Sequence, residues 1–147
     1  MTLLMGDTTS NQTQIEHSKQ RIFATINTIK EKHNYDITRV FIGGFSQGGI
    51  MAFNLALSHP EYFAGIFAHS ARIPVKYSLR SAEDDYEDLN VLILHVTEDT
   101  FNTKWSKQAK TLFDRLGANT EYFEDTIGHE MGKKTISKIH SWLKKFL

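Results

Sequence analysis

Three residues could together transfer an acyl group. Ser46 lies in Gly43-Gly44-Phe45-Ser46-Gln47-Gly48-Gly49, Asp99 in His95-Val96-Thr97-Glu98-Asp99, and His129 in Ile127-Gly128-His129-Glu130. A serine hydroxyl is a poor nucleophile at neutral pH unless an imidazole takes its proton as it attacks. A carboxylate must then fix the tautomer of that imidazole and stabilise the imidazolium it becomes. Ser46, His129 and Asp99 are the candidates for those roles, and the backbone N–H of Gln47 is the candidate oxyanion donor.

The elements around Ser46 make the pattern meaningful. Arg39-Val40-Phe41-Ile42 reads as a short buried strand, and Ile50 to Leu57 has helix formers and an apolar face. Strand, sharp glycine-flanked turn carrying serine, then helix is the context of a nucleophile elbow. Gly44 and Gly48, two positions either side, are expected to let the two elements pass closely. The turn places Ser46 at the positive end of a helix. The plainer alternative is a serine that only caps that helix.

Each partner also has a plainer alternative. Asp99 could cap the helix that follows, and Glu98 and Asp125 compete with it as acids. His129 gains weight from its place after the last strand. His95, inside a strand, reads as a buried hydrogen-bonded residue, and His69 as a structural residue at the border of the pocket. His17, His33, His59 and His140 read as surface or helix-end residues. Phe45, Phe101 and Trp105 fit an apolar pocket wall or ordinary packing. No His/Asp/Glu spacing suggests a metal and no glycine-rich phosphate loop is present, so no cofactor is expected.

The rest of the chain supplies a scaffold. An amphipathic helix is expected from about Asn11 to Lys32, with Ile15, Ile22, Phe23, Ile26 and Ile29 on one face and Lys19, Gln20, Lys30 and Glu31 opposite. Phe63 to Ala68 and Thr120 to Phe123 read as strands. Val91 to Val96 is continuously apolar, as in a parallel sheet covered on both faces. Residues 72–88 read as a surface excursion with a short helix in the acidic part. Helices are expected over 102–116, ending at Gly117, and over 133–146. Strands alternating with helices imply a parallel α/β sheet with helices on both faces, whose sites lie beyond the carboxyl ends of the strands. Ser46, Asp99 and His129 all fall there.

Bulk properties narrow the function. The 147 residues form one expected domain, 1–147, and the balanced charge (17 basic, 17 acidic) gives no field that selects nucleic acid or an anionic surface. The absence of cysteine removes disulfides, thiolate metal sites and a cysteine nucleophile, and suits a cytoplasmic setting. No apolar run reaches the ~20 residues that span a bilayer, and Met1 to Met5, short and without a basic flank, is not expected to act as a signal peptide.

The heptapeptide at Ser46, preceded by Asp36-Ile37-Thr38-Arg39-Val40, closely resembles the phospholipase/carboxylesterase family that includes acyl-protein thioesterases. Ala68-His69-Ser70-Ala71-Arg72-Ile73-Pro74 is similar to that family's Ser-Gly-x-x-Pro region. Leu94 to Asp99 is similar to its His-Gly-x-x-Asp segment, and Gly128-His129 also matches. The resemblance implies an α/β-hydrolase fold and hydrolysis of small-molecule carboxylic esters or thioesters through Ser46, Asp99 and His129. Val96 departs from it, standing where the family has glycine in the turn feeding Asp99. The chain looks like the C-terminal two-thirds of such a hydrolase, with about four strands. The strands preceding the first helix in the family, and the loop giving the second oxyanion N–H, are expected to be missing. Losing one oxyanion donor lowers kcat by roughly 10²–10³-fold, and an uncovered sheet edge invites self-association. The alternative function is therefore a weak or inactive remnant that serves as a binding or interaction module. A peptidase-like or dienelactone-hydrolase-like branch is a third reading, the latter disfavoured by serine in place of cysteine.

Overall fold

A computed structural model describes residues 8–79, 85–98 and 103–147. The chain divides into two compact units, residues 1–37 and 38–147.

In the first unit, helix α1 (Thr8–Lys32) is followed by Tyr35, whose hydroxyl donates to the Ile26 carbonyl at 3.2 Å. Ile15, Ile22, Phe23 and Ile26 are partly buried, as the periodicity predicts. Lys19 and Ile29 depart from it: Lys19 is buried, 3.4 Å from Glu16, and Ile29 is exposed. Lysine's four-carbon stem can be covered as hydrocarbon while its ammonium reaches a carboxylate.

Among the described residues, the second unit is built on a sheet of four strands, β1 (Phe41–Phe45), β2 (Gly65–His69), β3 (Asn90–Val96) and β4 (Asn119–Asp125), all parallel and lying side by side in chain order. Helix α2 (Gln47–Ser58) joins β1 to β2, α3 (Thr103–Arg115) joins β3 to β4, and α4 (Lys133–Lys144) follows β4. Side chains alternate across the sheet, so neighbouring residues of β3 report on opposite faces. Leu92 and Leu94 cluster with Ile139 and Trp142 of α4, backed by Phe41, Phe67 and Phe123. His95, of the other parity, bonds to α3, and Phe113 of α3 meets Phe53 of α2 at 5.6 Å between ring centroids. Helices therefore cover both faces: α2 and α3 one, α4 the other. Trp142 is the keystone of the α4 face, edge-on to Phe41 (5.7 Å) and Phe146 (5.2 Å).

Two sequence expectations shift. β1 starts at Phe41, after a 3₁₀ turn over Ile37–Arg39, and runs through Gly43-Gly44 to Phe45. Pairing with β2 holds those glycines extended, where propensity alone ends the strand. In the excursion, residues 85–88 form a turn, and residues 80–84 lie outside the described residues. Tyr86 in that turn is buried, its hydroxyl donating to the Leu57 carbonyl at the end of α2.

Candidate active site

The turn from β1 to α2 has the backbone of an elbow. Ser46 has φ 55° and ψ −115°, a conformation that costs an L-residue of order 1–3 kcal/mol and persists only where the surroundings enforce it. Here they do. The Ser46 N–H donates to the His69 carbonyl at 2.8 Å, continuing the β1–β2 ladder, while the Ser46 carbonyl accepts the Ile50 N–H at 3.1 Å, opening α2. Ser46 thus belongs to strand and helix at once. Its hydroxyl does not cap α2, which removes the plainer reading of this residue as a helix cap.

The spacing rule needs one correction. A Cβ on Gly44 would lie 2.2 Å from the Gly48 carbonyl carbon, so Gly44 is required by close approach. A Cβ on Gly48 would meet nothing within 4 Å, whereas one on Gly49 would lie 2.6 Å from the Ala71 Cβ. The small-residue requirement falls on Gly44 and Gly49. The helix reaches back to Gln47, so the Gln47 N–H is among the first N–H groups of α2, which have no acceptor within the helix.

His129 comes from the far edge. Among the described residues β1 and β4 are the outer strands, three inter-strand spacings or roughly 14 Å apart. The segment after β4 carries His129 back across the carboxyl ends, so that its ring lies 4.8 Å from the ring of Phe45, the residue before Ser46, at a tilt of 42°. Two main-chain bonds bind this segment to the turn after β3: Thr97 N–H to the Asp125 carbonyl (2.9 Å) and Glu98 N–H to the Ile127 carbonyl (3.3 Å). The turn leading to position 99 and the loop leading to His129 are thereby joined. Asp99 itself, like Phe101, lies outside the described residues. Of the competing acids, Glu98 is exposed, and Asp125 is buried at the end of β4. Val96 stays inside β3, opposite Asp125.

The remaining histidines separate cleanly. His95 is fully buried and held at both ring nitrogens, Nε2 to Thr103 Oγ1 (3.0 Å) and Nδ1 to Ser106 Oγ (3.1 Å), which pins the start of α3 to the end of β3. His69 sits in the last row shared by all four strands, between Phe45 and Leu94, with its ring 5.1 Å from that of Phe45. It is 0% exposed and neither of its ring nitrogens has a hydrogen-bond partner among the described residues. Burial, reinforced by the neighbouring His129 and His95 and opposed by Asp125, lowers its pKa from 6.5 to about 4. The sequence reads the second strand as ending at Ala68, whereas it runs one residue further and His69 is its last residue. His17, His33 and His140 are exposed and His59 half-buried.

Known proteins resemble this chain in sequence and in fold. The profile of the Phospholipase/Carboxylesterase family matches residues 3–147. Mouse lysophospholipase-like protein 1 is 32% identical over 117 residues, 72% of this chain and 46% of that protein. Acyl-protein thioesterase 1 of Schizosaccharomyces pombe is 33% identical over 81 residues, 53% of this chain and 36% of that protein. The chain thus spans less than half the length of either relative. Among solved structures, the Bacillus cereus carboxylesterase superposes with a TM-score of 0.78 at 17% identity, covering 92% of this chain and 63% of that one. Arabidopsis thaliana SOBER1 gives 0.75 at 22%, covering 89% and 63%. These two establish the α/β-hydrolase-like fold, and the profile match, running over nearly the whole chain, establishes that this protein belongs to the phospholipase/carboxylesterase family.

Proposed function

We propose that residues 1–147 act as one serine hydrolase domain on small-molecule carboxylic esters or thioesters, through Ser46, His129 and Asp99. The observation that carries this reading is the strained Ser46 at a strand–helix turn, with His129 brought from the opposite edge of the sheet to the adjoining Phe45. Ser46 Oγ attacks the acyl carbon as His129 takes its proton. The oxyanion that forms accepts a hydrogen bond from the Gln47 N–H. Collapse expels the alcohol or thiol, which leaves with the proton held by His129, and the acyl group stays on Ser46. Water, deprotonated by His129, then attacks the acyl-enzyme, and the carboxylic acid departs as the proton returns to Ser46. Asp99 holds the His129 tautomer. The absence of cysteine agrees with a cytoplasmic setting, and no helix among the described residues is long and apolar enough to cross a membrane.

The test is hydrolysis of short-chain p-nitrophenyl esters and acyl thioesters by the purified chain beside Ser46→Ala. Turnover is expected to fall at least 10³-fold in the variant. Equal rates would favour a second reading, a non-catalytic interaction module. That reading draws on β1 being an outer strand of the sheet among the described residues.

A further inference from the structure

His129 sits at the tip of a loop that closes on itself. The Glu130 N–H donates to the Gly128 carbonyl at 2.7 Å, which makes His129 the central residue of a γ-turn. Below that tip the two ends of the loop press together. A Cβ on Gly132, the N-cap of α4, would lie 2.6 Å from Ile127 Cδ1 and 3.3 Å from Asp125 Oδ2. Gly132 has φ −81° and ψ 170°, a conformation open to any residue, so lack of space is what asks for glycine there. Gly128, next to His129, is under no such demand, since a Cβ on it would meet nothing within 4 Å.

Ile127 links the neighbouring parts of the site. Its side chain fills the space at Gly132, and its carbonyl accepts the Glu98 N–H at 3.3 Å. The carbonyl of Asp125, whose carboxylate flanks Gly132, accepts the Thr97 N–H at 2.9 Å. The stem of the loop is thereby fastened to the turn after β3 through the main chain and to the start of α4 through side-chain contact. From that stem the His129 ring reaches to 4.8 Å from the ring of Phe45.

We propose that Gly132 and Ile127 are positioning residues for His129: their contact latches the loop and so holds the imidazole beside the elbow that carries Ser46. This rests on the hydrolase reading above. The atom nearest to position 132 is the end of the Ile127 side chain, so a group added there displaces Ile127 and the loop tip rather than the sheet. Misplacing a catalytic group by about 1 Å can cost about 100-fold in rate.

The test is a wedge and its relief. Gly132→Val drives a side chain into the latch, and Ile127→Ala removes as many carbons as that valine adds. Both single variants and the double variant are measured for kcat and KM on a p-nitrophenyl ester and for thermal midpoint. The nuclear Overhauser effect (NOE) between the rings of Phe45 and His129 is followed in each. For Gly132→Val we expect the NOE to vanish and kcat to fall about 30-fold with KM unchanged. Ile127→Ala should lose less, because it loosens the loop without pushing it aside. The double variant is expected to regain the NOE, and kcat to within about threefold of the parent. Valine is a poorer N-cap than glycine, so the thermal midpoint should stay lowered in the double variant while kcat returns, which separates positioning from packing. Gly132→Ala, a smaller wedge, should fall between parent and Gly132→Val in both readouts, and it carries the test if the valine chain does not fold. A Gly132→Val protein with parental kcat and NOE would overturn the inference. So would a kcat that follows the thermal midpoint through every variant. If the parent itself shows no Ser46-dependent turnover, the hydrolase reading fails, and the NOE series then decides the latch alone.

Discussion

The buried ring of His69 should make the fold sensitive to acid. His69 titrates at about 4 in the folded protein against 6.5 when exposed, because burial penalises its charged form and His129 and His95 reinforce that penalty. As pH falls below 6.5 the unfolded chain takes up this proton first. Stability conferred by the neutral ring is therefore intact above 6.5, declines between 6.5 and 4, and is fully lost once the folded state is protonated too. Each pH unit inside that window costs 1.36 kcal/mol at most, so the step from pH 7 to pH 4.5 removes about 2.5 kcal/mol. For a domain of this size that lowers the thermal midpoint by about 10 °C. Urea unfolding of the parent and of His69→Leu at both pH values isolates the effect, since carboxylates shared by the two proteins cancel in the difference. The variant should lose about 2.5 kcal/mol less than the parent. If both lose the same amount, His69 is not the buried neutral imidazole described above.

Other substitutions probe the scaffold. Gly44→Ala drives a methyl group into the Gly48 backbone and should cost 2 kcal/mol or more (about the scale of core overpacking), whereas Gly48→Ala meets open space and should be neutral or stabilising by up to about 1 kcal/mol. Thermal midpoints of the pair give the ordering, and a reversed order would refute the elbow geometry. Trp142→Ala removes the ring that fills the space between α4 and Phe41 and should cost about 3–5 kcal/mol in urea titrations. A loss below 1 kcal/mol would mean α4 is not anchored through that ring.

Local signals announced the elbow because strand, glycines and helix are contiguous there, and the order of the remaining elements followed from their periodicity. What escaped were facts that depend on pairing between distant segments. The parity that buries His69 and turns His95 toward α3 exists only once the β1–β2–β3 register is set. Tyr86 sits in a run of acids that suggests a solvated helix, yet it is buried because Leu57, 29 residues away, accepts its hydroxyl. Gly48 shows the converse, since a motif position can be occupied by glycine without any steric need in the fold. The placement of His129 was foreseen as an end-of-strand loop, but its partner ring Phe45 was not, because the two are joined across the whole width of the sheet.

That span has a kinetic side. Partner residues in adjacent strands are separated by nearly equal lengths of chain: 24 between Phe41 and Gly65, 25 between Gly65 and Asn90, and 29 between Asn90 and Asn119. Loop-closure entropy grows only with the logarithm of length, so each addition carries almost the same cost and the sheet can assemble one strand at a time without a dominant late closure. The contact between Phe45 and His129 is different, bridging 84 residues, and it can form only after β4 has docked. A sheet arrested at three strands would already have the turn that carries Ser46, yet would lack the histidine. Formation of that ring contact during refolding therefore reports the arrival of the last strand, and the onset of reactivity should lag the appearance of the first helices.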